Sequence, residues 1–325
     1  PARPPAPGPA RTTPVGGPPA PRASYTGGHS RIGELIGKAT YQAVVGALGK
    51  QNGFFLRGAN RFDATSLAAP KSRGDLRLAL LHLDASPGDI AGNRGRIEAA
   101  IRDAVRHGAD WVVTPELAET GYYFSKRIGT DWIAPFPDAW ISTLAAIARD
   151  NQVALFVGIA ERDAADDKLH NSLAVIDRDG KLLGTYRKQR SVGRAHRWSG
   201  AGRGRAPFRV DGIAVGTLIC ADSYHAELAR QAAQGAAIVL VPSNWPPVAG
   251  MGPDDVWEKR SRETHVPFVA VNRAGSEPEL DFTQGESAVS VAGKRLFTFN
   301  APKGDIFYVD WNRRQRFRAV KHADR

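Results

Sequence analysis

The chain has 325 residues, 42% of them hydrophobic, with 34 glycines, 22 prolines and a formal net charge of +11. That length allows one large folded domain or two small ones, and no apolar run approaches the length of a membrane span. The single cysteine excludes an internal disulfide and fits a reducing, cytoplasmic compartment.

The positive charge suggests nucleic acid at first sight, but its distribution argues against that partner. Residues 1–73 carry ten Lys/Arg against two Asp/Glu, a net of +8, and the remainder carries 34 against 31, a net of +3. Residues 1–24 are rich in proline with alanine and glycine, so they read as a disordered, polyproline-like extension. They lack the apolar core of a secretory signal. The missing initiating Met reads as a processed or excised chain.

Residues 25–73 read as a helical extension and linker. Ile32, Leu35, Ile36, Ala39, Val44, Val45 and Leu48 fall near helical spacing, with Ser30 as an N-cap and Gly53 as a stop. From residue 74 to 312 the pattern becomes regular. A strand over Leu76–Leu83 precedes a helix from about Asn93 to His107, and a short strand follows at Trp111–Val113. A helix over about Asp138–Asn151 leads into a strand over Val153–Ile159. Asp177-Arg-Asp-Gly180 is a hairpin turn signal, and Leu182–Tyr186 is the returning strand. A basic, glycine-rich loop, Arg190 to Arg205, follows. It lacks Walker spacing and reads as a basic rim over a pocket or a solvated loop. Ile213–Ile219 is a buried strand, Asp222–Ala233 a helix, and Ala237–Val241 a strand. A helix over about Asp254–His265, a strand over Val266–Val271 and late hairpin strands to Asp310 complete the domain. The basic tail, 313–325, reads as exposed or as part of a subunit contact.

Three residues stand just past strand ends, where α/β folds keep their chemistry. Cys220 ends the strand Ile213–Ile219, with Asp222 or Ser223 as N-cap of the next helix. A helix N-terminus at that turn would favour the thiolate, the nucleophilic form, whereas a lone cysteine otherwise reads as a small buried hydrophobe. Glu116 follows Trp111-Val-Val-Thr-Pro within apolar and aromatic residues that would tune a base toward neutral pH. Glu119, three residues on, reads as a solvated loop carboxylate. Lys188 ends the strand in Leu182-Leu-Gly-Thr-Tyr-Arg-Lys188; the alternative is a surface charge beside Arg187 and Arg190.

With Glu116, Lys188 and Cys220 in that order, the chain from about Leu76 to Asp310 resembles the nitrilase superfamily of carbon–nitrogen hydrolases. Phe156-Val-Gly-Ile-Ala-Glu161 followed by His170-Asn-Ser172 resembles the segment bearing that family's second glutamate. Val241-Pro-Ser-Asn-Trp245, Arg262–Gly275 and Gln284-Gly-Glu-Ser287 resemble its later segments. The resemblance implies an α/β fold, a four-layer α-β-β-α sandwich, where periodicity alone would equally suggest a doubly wound parallel sheet. It implies a homodimer or higher homo-oligomer and a Glu-Lys-Cys triad of Glu116, Lys188 and Cys220. Glu161 would hold Lys188 or the substrate nitrogen, and no metal or other cofactor is called for.

The implied activity is hydrolysis of a small-molecule amide to acid and ammonia through a thioester on Cys220. True nitrilases usually follow the cysteine with Trp-Glu; Ala221-Asp222 here is closer to amidases and carbamoylases. The departures from the common amidase pattern put the substrate in question, and Tyr122, Tyr123, Ala221, Tyr224, His225, Asn244 and Trp245 are candidates to line its pocket. The alternatives are a nitrilase, a partner-dependent acyl transferase or glutaminase module, and a non-enzymatic scaffold. Separately, Gly28-His-Ser-Arg-Ile-Gly-Glu-Leu-Ile-Gly37 resembles the closing helix of adenosylcobinamide amidohydrolases, implying a corrinoid-related context; a chance amphipathic helix explains it equally well.

Overall fold

The structure, a computed structural model, describes residues 60–61, 75–191, 197–248, 252–312 and 316–320. The readings made for 1–24, for nearly all of 25–73, for the middle of the arginine-rich loop and for most of the tail lie outside the described residues. All described residues belong to the unit Lys38–Arg325.

The elements run β1 (Asn60–Arg61), β2 (Leu76–His82), α1 (Ile90–Arg106), β3 (Trp111–Val113), α2 (Phe124–Ile128), β4 (Pro135–Phe136), α3 (Ala139–Asn151), β5 (Ala154–Asp163), β6 (Leu169–Ile176) and β7 (Leu182–Arg187). They continue with β8 (Phe208–Val210), β9 (Ile213–Thr217), a 3-10 turn (Cys220–Tyr224), α4 (Ala226–Ala233), β10 (Ile238–Pro242), α5 (Val256–Thr264), β11 (Phe268–Val271), β12 (Ser287–Val291), β13 (Lys294–Phe299), β14 (Asp305–Asn312) and β15 (Arg316–Val320).

Two mixed sheets form, in the orders β15-β14-β2-β3-β5-β6-β7 and β1-β13-β12-β11-β10-β9-β8. Each is built on three adjacent parallel strands, β2-β3-β5 in one and β9-β10-β11 in the other. Antiparallel strands flank both triplets.

Strict alternation in the first sheet decides the layering. Leu78, Leu80, Trp111, Val113, Phe156 and Val175 join one core with Val215, Val241, Phe268 and Val289 of the other sheet. The residues between them in sequence, such as Ala79, Leu81, Val112 and Leu155, pack instead with Ile97, Ile101, Leu144 and Ile147 of α1 and α3. A period of two thus gives the first sheet two buried faces, one on helices and one on the second sheet. In the second sheet consecutive residues Val239, Leu240 and Val241 are all fully buried, because α4 and α5 cover its far side. The result is the four-layer α-β-β-α sandwich.

The starts of α1 and α3 are set by aspartates. The Asp89 carboxylate accepts from the Gly92 N–H at 3.0 Å and that of Asp138 from Ile141 at 2.9 Å, so α1 starts three residues before the predicted Asn93. Three expectations are corrected. The helix expected over Asp222–Ala233 divides at His225 into the 3-10 turn and α4. The strand expected to stop at Ile159 continues to Asp163, carried by antiparallel pairing with β6. Residues 316–320 are an edge strand paired with β14, with Val320 buried, rather than a free tail. Among the described residues no helix is long and apolar enough to cross a membrane.

Candidate active site

Glu116 follows β3, Lys188 follows β7, Cys220 follows β9 and Asn244 follows β10, so the C-terminal ends of strands from both sheets supply the site. Two turns there hold non-glycine residues in left-handed conformation, Leu117 at φ 47° and Cys220 at φ 48°. Such strain is retained where the surroundings over-determine the backbone, and it gathers at functional sites. The Glu116 turn lies directly on β5: a Cβ at Gly158 would stand 2.2 Å from the Pro115 carbonyl oxygen. The Gly158 N–H donates to Thr114 Oγ1 at 2.8 Å and fastens the turn there.

The structure brings Glu116, Lys188 and Cys220 together, all buried. Lys188 Nζ donates to Glu116 Oε1 at 2.6 Å. Asn171 Nδ2 donates to the same oxygen at 2.7 Å, and the Asn244 backbone N–H donates to Oε2 at 2.9 Å. The aromatic neighbourhood read from the sequence is present, but the carboxylate itself faces three donors. The Cys220 thiol lies near the Glu116 carboxylate and the Asn244 N–H, and both act on its titration.

Electrostatics correct one expectation. Cys220 heads a five-residue 3-10 turn, and α4 starts only at Ala226, so no helix N-terminus holds the thiolate. Burial, reinforced by the Glu116 carboxylate, pushes the thiol well above its ordinary range, and Lys188 and the Asn244 N–H pull it only part of the way back. The free site therefore holds a thiol that needs a base. Burial would by itself lower the Lys188 ammonium, but Glu116, Cys220 and Asp222 outweigh it and leave the group raised and cationic.

Asp222 joins the two halves. Its carboxylate accepts from the Arg190 N–H at 2.7 Å, the Ile219 N–H at 3.2 Å and the Tyr186 hydroxyl at 2.8 Å. Rather than capping a helix, it ties the Lys188 strand end to the Cys220 turn. Its place two residues past the cysteine was the available signal. Glu277 is a second residue that the sequence reading missed. It accepts from the Tyr122 and Tyr123 N–H groups at 2.7 and 3.0 Å and pairs with buried Arg273. No local pattern announces it, because those partners lie more than 150 residues upstream.

The remaining candidates divide. Tyr122 is within electrostatic reach of Glu116 and Cys220: desolvation raises its phenol well above the ordinary value, and those two groups add to the effect. Tyr123 packs edge-on against Tyr122 at 5.3 Å, with Lys126 Nζ 4.4 Å above its ring. Ala221, Asn244 and Trp245 are buried. Asn272 fixes Trp245 by accepting from its N–H and donating to its carbonyl, each at 2.8 Å. Tyr224 is 43% exposed and donates its hydroxyl to the Gly252 carbonyl, with its ring 4.8 Å from that of Trp245. The His225 side chain, 40% exposed, lies 3.6 Å from Glu227 and does not join the group.

Glu161 does not hold Lys188. Its carboxylate accepts from Arg187 Nε at 3.0 Å and from the Ser172 hydroxyl, one residue away from Lys188 and from Asn171. Glu119 is 2% exposed rather than solvated, and it pairs with Arg94. Arg205 of the basic loop stacks 3.5 Å over Phe208 and donates to the Thr185 carbonyl, so it is spent on packing. Among the described residues, Asp163, Asp166 and His170 bring metal-ligand atoms within 4.8 Å of one another, and both carboxylates are already paired, with Arg187 and Lys168.

Comparison with known proteins gives the family. Residues 77–310 match the carbon–nitrogen hydrolase family model. A nitrilase from Pyrococcus abyssi is 34% identical over 202 residues, 61% of this chain and 74% of its own length. An N-carbamoylputrescine amidase from Arabidopsis thaliana is 30% identical over 242 residues, 67% of this chain and 77% of its own. The solved amidase from Nesterenkonia sp. AN1 superposes with a TM-score of 0.66 at 26% identity, covering 76% of this chain and 94% of that one. One mutant of that amidase carries the acetamide moiety of fluoroacetamide added covalently at its active-site cysteine. The chain belongs to the carbon–nitrogen hydrolases of the nitrilase superfamily and is an amidase-like enzyme of that family.

Proposed function

We propose that the protein hydrolyses a small primary amide to a carboxylic acid and ammonia, with Cys220 as nucleophile, Glu116 as proton carrier and Lys188 as oxyanion stabiliser. The observation that carries this reading is the Glu116 carboxylate, 2.6 Å from Lys188 Nζ and close enough to the Cys220 thiol to act on its titration.

Glu116 takes the thiol proton as Cys220 Sγ bonds to the amide carbon. The carbonyl π pair moves to oxygen, where the Lys188 ammonium and the Ala221 backbone N–H stabilise it. The C–N bond then breaks, Glu116 gives its proton to the nitrogen, and ammonia departs. Water enters, loses a proton to Glu116 and attacks the thioester carbon. The C–S bond breaks, Cys220 recovers its proton from Glu116, and the acid leaves. The raised thiol supports this order, because such a group attacks only as its proton is removed. The acetamide moiety carried on the active-site cysteine of a Nesterenkonia amidase mutant supports the nucleophilic role given to Cys220.

Intact-mass spectrometry with acetamide, propionamide and butyramide, beside Cys220→Ala, tests the reading. Acyl adducts on the unsubstituted protein alone, with ammonia released, are expected. Turnover of nitriles but not amides would replace amidase with nitrilase, and an adduct that only an added amine discharges would indicate acyl transfer.

A further inference from the structure

Two asparagines that bind Glu116 through other atoms leave three buried side-chain atoms with no hydrogen-bond partner among the described residues: Asn171 Oδ1, Asn244 Oδ1 and Asn244 Nδ2. The two asparagines are 1% and 2% exposed. A buried polar group without a hydrogen bond costs roughly 1–3 kcal/mol, and native proteins keep few of them. Both residues already touch the site through other atoms. Asn171 Nδ2 and the Asn244 backbone N–H bind opposite oxygens of the Glu116 carboxylate, at 2.7 and 2.9 Å.

The orientation of Asn171 is fixed by chemistry. An ionised carboxylate only accepts, so the amide nitrogen must face Glu116 and Oδ1 must be the free atom. The Asn244 side chain offers a donor and an acceptor, with neither engaged among the described residues. The unspent capacity therefore includes an acceptor on each of two residues that flank the proton carrier. The nitrogen of an unsubstituted carboxamide carries two N–H donors. A nitrile nitrogen carries none, and an N-methyl amide carries one.

We propose that Asn171 Oδ1 and the Asn244 side chain form the subsite for the –NH2 group of the substrate, selecting an unsubstituted carboxamide or ureido end over nitriles and N-substituted amides. This rests on the amidase reading above and deepens it. Asn171 and Asn244 are recognition residues; the proton still moves through Glu116. A site built to hydrogen-bond an N–H rejects the analogue that lacks it, because the buried acceptors are then left unpaired.

The test is binding, separate from turnover. In the Cys220→Ala variant, propionamide, N-methylpropionamide and propionitrile are titrated by NMR. Propionamide is expected to bind at least tenfold tighter than either analogue. Adding Asn244→Ala, or Asn244→Leu if the first folds poorly, is expected to remove most of that preference by weakening propionamide and leaving the nitrile within about twofold. Equal affinities in Cys220→Ala, or a preference that survives both second substitutions, would overturn the subsite. The hydrolase reading is checked apart from this: amide-selective binding with no ammonia and no adduct from the unsubstituted protein would end that reading and keep the subsite.

Discussion

Glu116 and Glu119 lie three residues apart on one turn, both are buried, and each is paired with a cation. Burial and an ion pair therefore do not distinguish a reactive carboxylate from a structural one. Glu119 meets Arg94 Nη2 at 2.5 Å, Arg94 continues to Asp138 at 2.7 Å, and the Ala160 N–H donates to Glu119 at 3.4 Å. Those contacts tie α1, the cap of α3 and β5 together. Glu116 meets Lys188, a thiol and two asparagines whose remaining side-chain polar atoms have no partner among the described residues. The carboxylate proposed to react is the one whose surroundings are left incomplete.

The largest effect that separates the two carboxylates is expected from Glu116→Gln. An amide in that place cannot carry a proton, so kcat should fall by about 10²–10⁴-fold, the usual worth of a positioned acid–base group. Glu119→Gln should change kcat severalfold at most. Steady-state ammonia release on both variants reads the contrast, and equal losses would dissolve it. Lys188→Met comes next. It removes the oxyanion donor and leaves Glu116 as an uncompensated buried charge, so about 10²–10³-fold in kcat and roughly 3–5 kcal/mol of stability should go together. Denaturant unfolding beside kinetics checks this; a full rate with lowered stability would make Lys188 structural.

The site was legible in the sequence where local pattern and function coincide. Cys220, Glu116 and Lys188 each end a strand, and an apolar run that stops abruptly is visible without a structure. What escaped is carried by distant partners. Glu119 looks solvated until Arg94, 25 residues upstream, closes over it. Asp222 has the composition of an N-cap, but its carboxylate is drawn to backbone groups over 30 residues before it. The helix after Cys220 is also shorter than expected: the Asp222 carboxylate turns back to the Ile219 N–H of the 3-10 turn, and α4 starts past His225 without a side-chain cap. The two-sheet packing was likewise implied by the family resemblance and not by alternation, since a strand buried on both faces reads the same in either architecture.

A smaller effect is a pH dependence confined to the structural carboxylate. Burial raises Glu119 from 4.5 to about 7, with Arg94 opposing. Its folded value exceeds its unfolded one, so the folded state holds the extra proton between those limits and stability falls as pH rises through them. The shift corresponds to about 3 kcal/mol at roughly 1.4 kcal/mol per unit. The stability difference between the unsubstituted protein and Glu119→Gln should drift by about that amount from pH 4.5 to pH 7. A flat difference would show that Arg94 holds Glu119 ionised throughout.

The smallest effect tests where the site ends. His225 and Glu227 face each other at 3.6 Å with side chains 40% and 57% exposed. Solvent screens such a pair, whose worth is about 0–1 kcal/mol. His225→Ala should therefore leave unfolding free energy within about 0.5 kcal/mol and kcat/KM for a short amide within about twofold. The neighbouring Asn244 subsite predicts a loss several times larger from its own truncation, although both residues stood equal as pocket candidates in the sequence. If His225→Ala costs tenfold in kcat/KM for a longer amide and little for acetamide, the rim contacts the acyl chain. The boundary between exposed rim and buried centre would then lie outside His225, on the side of Glu227.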